Sequence, residues 1–171
     1  MNEDLKLAIE LVPSSLWWMN PRKSMKQSQW DKLRKQVYQQ YNNTCGICGA
    51  TDARLNCHER WEYSIVDGVG KQRLIGFIAL CNLCHHVKHI GYAGILAQRG
   101  QLDFEKVIEH FMRVNQCTRA AYEEHYRTAF AEWNERNSLP WEADWGEYQH
   151  LMSEAQVPQR THPHRSPSNS G

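Results

Sequence analysis

Cys45-Gly-Ile-Cys48-Gly49 and Cys81-Asn-Leu-Cys84-His85 form two like brackets, with Cys57-His58-Glu59 between them. Two C-x-x-C pairs about thirty residues apart are the ligand set of one tetrahedral zinc ion. Four thiolates close its shell, so the zinc at Cys45, Cys48, Cys81 and Cys84 is expected to be structural. The alternative use of six cysteines, disulfides, is disfavoured by the pairing itself and by an N-terminus, Met1-Asn-Glu-Asp, without the basic start of a signal peptide.

Working outward, residues 55–66 and 71–80 read as strands. The first carries Trp61, Tyr63, Ile65 and Val66, the second Leu74, Ile75, Phe77, Ile78 and Leu80. Asp67-Gly-Val-Gly70 between them is a hairpin turn. The second bracket is expected to open a short helix, Asn82 to Ile90, closed by Gly91 in the left-handed conformation. Gly46 and Gly49 relieve the tight turn of the first bracket. Knuckle, hairpin, knuckle, helix is the order of a treble-clef zinc finger.

Upstream, residues 1–27 read as an arm, a short helix or an extended segment broken by Pro13. Ser28 is placed to cap a helix with Trp30, Leu33, Val37, Tyr38 and Tyr41 on one face, ending near Asn42-Asn43. Residues 28–100 are the zinc-stapled core, and 101–146 a helical extension. There, Asp103 caps a helix to about Asn115, with Phe104, Val107, Ile108, Phe111 and Met112 facing inward. Thr118 caps another to about Asn137, and Trp141 and Trp145 are expected to fold back onto these helices. Residues 147–171 read as a largely disordered tail, since Pro, Ser, Arg and His dominate after Val157. The fold class is α+β, with helices on both sides of the zinc-stapled core.

Of 171 residues, 41% are hydrophobic and 23% charged, which fits one globular domain with extensions. No apolar run is long enough for a membrane span, and the expectation is a cytoplasmic, intracellular protein. The formal net charge is +1. Four thiolates and one zinc ion add about −2, so attraction to a polyanion must come from local patches. Arg22, Lys23, Lys26, Lys32, Arg34 and Lys35, diluted by Asp31, are such a patch or a solvated helix face.

Strand alternation puts His58, Arg60 and Glu62 on one side and Cys57, Glu59, Trp61 and Tyr63 on the other. His85 and His89, four apart, share a helix face next to Lys88. His86 points elsewhere. If the zinc staple packs the strand across the helix, His58 faces the other two imidazoles. Phosphodiester hydrolysis needs a base active near neutral pH, which histidine supplies, and a cation to neutralise the phosphorane and leaving oxygen. His85 and His89 are the candidate holders of that divalent ion, His58 the candidate base, and Arg60 and Lys88 the candidate phosphate clamps.

These residues resemble the HNH (His-Me finger) endonucleases, in the form whose ββα-metal motif is built into a four-cysteine treble clef. The resemblance runs through the two brackets, His58, the strand Leu74-Ile-Gly-Phe-Ile-Ala-Leu80 and His85. Trp30-Asp-Lys-Leu-Arg34, Cys57-His-Glu-Arg-Trp-Glu-Tyr63 and His86-Val-Lys-His-Ile-Gly91 look like a bacterial and phage subgroup, extending the similarity from about residue 10 to Trp145. It implies a DNA nuclease dependent on Mg²⁺, Mn²⁺ or Ni²⁺ that leaves 5′-phosphate and 3′-hydroxyl ends. It also implies His58 at the general-base position and His85 at the metal-ligand position. Cutting both strands would be simpler for a homodimer. Two departures stand out: Cys57 replaces the family's aspartate before the base, and its middle asparagine has no counterpart between Glu59 and Leu80. His89 or Glu59 is the candidate replacement for the missing carboxylate.

Two other readings compete. Cys57-x-Glu59 followed by Cys81-x-x-Cys84 superficially matches a zinc deaminase. Leu80 stands where that class has proline, however, and Cys45 and Cys48 would be left without a role. The second is a non-catalytic treble-clef module that binds DNA or a protein.

Overall fold

The computed structural model describes residues 5–153. The tail proposed for 147–171 therefore lies mostly outside the described residues. Its first part is ordered: a 3-10 helix spans Gly146–Leu151, Met152 is buried, and the Ser153 amide donates to the Ser24 carbonyl.

After the arm and a 3-10 turn at Ser14–Leu16 come α1 (Pro21–Ser24) and α2 (Gln27–Gln40). The hairpin β1 (Leu55–Val66) and β2 (Val69–Cys81) leads directly into α3 (Asn82–Lys88) and α4 (Ile90–Gln98). α5 (Phe104–Asn115), α6 (Arg119–Asn137) and β3 (Trp141–Asp144) follow. β1 and β2 are antiparallel, and β3 adds to β2 in parallel, giving the order β1-β2-β3.

Local signals explain much of this. Asp103 and Thr118 cap α5 and α6, their side chains accepting from the Glu105 and Ala121 amides. Asn42 and Asn43 end α2 with positive φ, and Asp67 and Gly68 do so at the two-residue hairpin turn. The cap of α2 is displaced: the helix begins at Gln27, before Ser28, and its N-cap Lys26 makes no side-chain cap bond.

Two expectations are corrected, and the hairpin adds a feature of its own. The helix after Cys81 stops at Lys88, and Gly91 lies inside α4 rather than in a left-handed cap; Gly100, φ 69°, follows the end of α4 instead. His89 occupies the joint, with φ −103° and ψ 51°. Trp141 and Trp145 dock on the sheet and arm: Trp141 meets Tyr63 edge-on and leaves no room for a Cβ at Gly70, while Trp145 packs against Trp18 and Trp61. Trp141 keeps one tie to α6, donating its Nε1 hydrogen to the Arg136 carbonyl. Finally, a bulge displaces the hairpin register, pairing Arg60 with Gly76 and Trp61 with Leu74, so that Ile75 is the extra residue.

Two apolar clusters form the interior. One gathers around Cys45, Cys81 and Cys84 with Val87, Val107 and Phe111. The other joins α2 to the sheet through Trp30, Val37, Leu74, Phe77 and Trp145. The arm lies across α3, α5 and α6, its backbone paired to their side chains and carbonyls. Asn115 exchanges two hydrogen bonds with the Leu7 backbone, His125 accepts from the Ile9 amide, and Asn137 accepts from the Ser14 amide.

Candidate metal centre and histidine cleft

The sulfurs of Cys45, Cys48, Cys81 and Cys84 lie within 4.8 Å of one another, and none is in a disulfide. Cys48 Sγ and Cys81 Sγ are 3.6 Å apart, against roughly 3.8 Å for the edge of a sulfur tetrahedron with metal–sulfur distances of about 2.3 Å. The cluster can hold a structural metal ion such as zinc. Gly49, φ 77°, makes the turn of the first bracket. A Cβ on Gly46 would press into Tyr41 and Ile78 at under 3 Å, so the knuckle seats against the sheet only with glycine there. In the second bracket the Cys84 amide donates to Cys81 Sγ, making a ligand also the N-cap of α3. Hydrogen bonds from Cys81 and Cys84 hold the Cys45 thiol far below its ordinary range.

A histidine that the sequence reading passed over supports this centre. His110 on α5 is buried, with Nε2 3.1 Å from Cys84 Sγ and Nδ1 2.8 Å from the Arg113 guanidinium. Arginine can only donate, so Nδ1 accepts and Nε2–H is directed at the sulfur. Burial, with Arg113 adding to it, lowers the imidazole's pKa and favours this neutral tautomer. Its signal was present: His110 lies three residues after Val107, on the face assigned to the core.

The other cluster joins His58 of β1, His85 of α3 and His89 at the α3–α4 joint. Each offers one ring nitrogen, all within 4.8 Å of one another. Ring centroids are 5.4 Å apart for His58 and His85, 4.9 Å for His58 and His89, and 4.7 Å for His85 and His89. The helix break at Lys88 leaves the His89 amide bonded to the His85 carbonyl and turns the two rings edge-to-face. Burial first, then the neighbouring imidazoles, lower His85 to about 3 and His89 to about 4. Both rings are neutral lone-pair donors at neutral pH.

His58 is 2% exposed, and among the described residues neither ring nitrogen has a hydrogen-bond partner. Two carboxylates stand just beyond bonding distance: Glu10 Oε2 is 3.6 Å from Nε2, and Glu59 Oε2 is 3.6 Å from Nδ1. Glu10 comes from the arm, fixed there by its amide bond to the Lys88 carbonyl. Nothing in the local sequence marks it except a single acid between Ile9 and Leu11. Glu59 reaches the same place although alternation sets its Cα on the opposite side of the strand from His58. Burial pushes both carboxyls up, but His58, Lys88 and His89 outweigh it at Glu10 and bring that group down. Glu59, countered chiefly by His58, stays raised. Neighbouring acids pushed in opposite directions can take different roles in proton transfer.

Lys88 Nζ lies 3.8 Å from Glu10 Oε2, so this cation is engaged with a carboxylate inside the site. Arg60 is exposed on β1 and lines neither cleft beside the histidines. Cys57 lines the first of those clefts, its thiol pushed up to about 12 by burial and by Glu59.

That cleft, about 800 Å³, is polar and flanked by Arg22, Arg34 and Arg54. Arg34 is partly committed to Asp31, 2.9 Å away. A second cleft of about 510 Å³ is apolar and carries Trp17, Trp61, Tyr92 and Trp133. His89, Glu59 and Asn20 line both, so His89 sits where the two clefts meet, with His85 on the polar side and His58 buried against them. Among the described residues no helix is long and apolar enough to cross a membrane. Comparisons with protein-family models, curated proteins and solved structures find no match.

Proposed function

We propose that this protein is an endonuclease of the HNH (His-Me finger) kind, hydrolysing DNA phosphodiesters on a four-cysteine treble-clef scaffold. The observation that carries the reading is the meeting of three imidazoles and two carboxylates beside an arginine-flanked cleft lined by His85, His89 and Glu59, on a hairpin and helix joined through the cysteine cluster. A structural metal role for the four sulfurs and a hydrolytic role for the histidines divide the two clusters between stability and chemistry.

The residues fit a second cation. His58 leaves two buried ring nitrogens without partners, and His85 and His89 have been driven to their neutral, ligating form. His85 and His89 would hold a divalent ion (Mg²⁺, Mn²⁺ or Ni²⁺), with Glu10 supplying the carboxylate that the family pattern lacks at Cys57. Such an ion, when bound, neutralises charge on the phosphate and on the departing 3′ oxygen. His58 takes a proton from the attacking water, and Glu10 and Glu59 on either side of its ring orient it and balance the imidazolium. Arg22 and Arg54 hold the flanking backbone.

The tight mutual spacing of all three imidazoles favours one variation, with His58 as a third ligand and Glu59, its pKa raised, as the base. Two measurements on wild type and His58→Ala separate these readings. Supercoiled plasmid is incubated with Mg²⁺, Mn²⁺ or Ni²⁺, and divalent-ion binding is titrated. Loss of cleavage with retained metal affinity supports His58 as base; loss of both supports it as ligand. Plasmid left intact by the wild type under all three metals leaves a non-catalytic DNA- or protein-binding module.

A further inference from the structure

The apolar cleft has no role in hydrolysis as just described, yet it opens onto the same histidine. Five aromatic side chains line it, Trp17, Trp61, Tyr92, Phe130 and Trp133, among aliphatic ones that include Ile95. Trp17, Tyr92 and Ile95 are 66%, 57% and 44% exposed, an unusual display of apolar surface in one place. The indoles of Trp17 and Trp133 are parallel to within 10°, and both donate their Nε1 hydrogens to one acceptor, the Val12 carbonyl. Their orientation is therefore fixed in advance and their polar edges are already used, leaving ring faces to offer. Glu10, Glu59 and Asn20 also line it, hydrogen-bond acceptors among apolar walls. The volume falls within the roughly 300–1,000 Å³ of small-ligand pockets.

We propose that this cleft receives one unpaired nucleobase of the DNA being cut, next to the scissile phosphate. The inference rests on the nuclease reading and adds a substrate class to it: DNA in which the nucleotide beside the cut is unpaired, as in a bubble, flap or single strand. Three features select that occupant over a general apolar ligand. The cleft is continuous with the polar, arginine-flanked groove through His89, Glu59 and Asn20, so a base in one and its backbone in the other share a single strand. Five of its lining side chains are aromatic rings, a side-chain type on which any base can stack. Its polar lining, Glu10, Glu59, Asn20 and His89, offers acceptors to a base's exocyclic amino groups. A base within a duplex is stacked and paired, and cannot enter without being extruded at a cost in unpairing energy.

The test uses the full chain with Mg²⁺ or Mn²⁺ and three oligonucleotides of one sequence: a continuous duplex, a duplex with a single-nucleotide bubble, and that bubble with the unpaired nucleotide made abasic. Wild type should cut the bubble faster than the duplex, and the abasic site should erase the advantage. Trp17→Ala should slow bubble cleavage roughly 5- to 150-fold, the stacking contribution of one base, with less than a twofold change on duplex. Trp17→Phe, which loses the bond to Val12 but keeps a ring, should restore most of the rate. Melting curves of both variants exclude misfolding at this exposed position. Equal rates on all three substrates, or a Trp17→Ala defect of the same size on duplex and bubble, would overturn the base-binding cleft while leaving the nuclease intact. Absence of cleavage on every substrate removes the nuclease reading itself. In that case anisotropy with the labelled bubble decides the cleft, and affinity insensitive to Trp17→Ala overturns it too.

Discussion

The two metal-type clusters of this molecule are built in opposite ways. The four sulfurs are bonded on many sides: to one another, to the backbone amide of Cys84, and to the His110 imidazole that Arg113 orients. Two tight brackets 33 residues apart supply all four ligands. The three imidazoles, by contrast, come from a strand, a helix and a helix joint, and the most buried of them has no hydrogen bond on either nitrogen. A closed shell of satisfied groups is what stability selects; unsatisfied groups at the junction of two clefts are kept at a cost in stability and suit chemistry. The proposed function gives structure to sulfur and reaction to nitrogen, and the contrast can be broken at each end.

The largest effect is expected at the sulfur end. Cys84→Ser should abolish the cooperative fold, since structural zinc contributes about 10–16 kcal/mol in finger domains, as much as a whole domain's net stability of about 5–15 kcal/mol. Circular dichroism with metal analysis tests this, and a variant that keeps its melting transition without metal refutes the structural assignment. Next is His58→Ala, which should lower cleavage about 10²–10⁴-fold, the ordinary share of a general base, while keeping the melting temperature within a few degrees. Parallel losses of stability in these two variants would erase the division between the clusters.

A smaller effect is expected of His110→Ala. Loss of an outer-shell partner typically weakens metal binding about 10–100-fold, measurable as faster metal release to a chromogenic chelator, with the protein still folded when metal is in excess. Unchanged release would make His110 a packing residue. The smallest consequence concerns Cys57. Its thiol, raised to about 12 by burial and Glu59, is protonated at pH 8 and should alkylate slowly, the rate rising about tenfold per pH unit toward 12. Fast labelling of the metal-loaded protein at pH 8, mapped by mass spectrometry to Cys57, contradicts the buried acidic surroundings described here.

The parts that were legible in the sequence are those encoded within a few residues. The brackets, the hairpin turn at Asp67-Gly68 and the caps Asp103 and Thr118 are local patterns with local causes. Three elements were not. β3 is four residues pairing in parallel with β2 across a long connection, and no periodicity accumulates over so short a strand. The break at His89 contradicts the continuous helical pattern from Asn82 to Ile90, because tertiary packing rather than Gly91 ends α3. Glu10 joins the histidines from 48 residues before His58, and only the packing of the arm on α5 and α6 decides that its carboxylate reaches them.

That last arrangement has a consequence for the nascent chain. The arm leaves the ribosome before the partners that hold Leu7, Ile9 and Ser14 in place, Asn115, His125 and Asn137, which emerge more than a hundred residues later. Until α5 and α6 are synthesised, the acid beside His58 has only Lys88 to hold it. A growing polypeptide would bring its four sulfurs together well before the arm is fully docked, so the histidine cluster would be the later of the two to be completed.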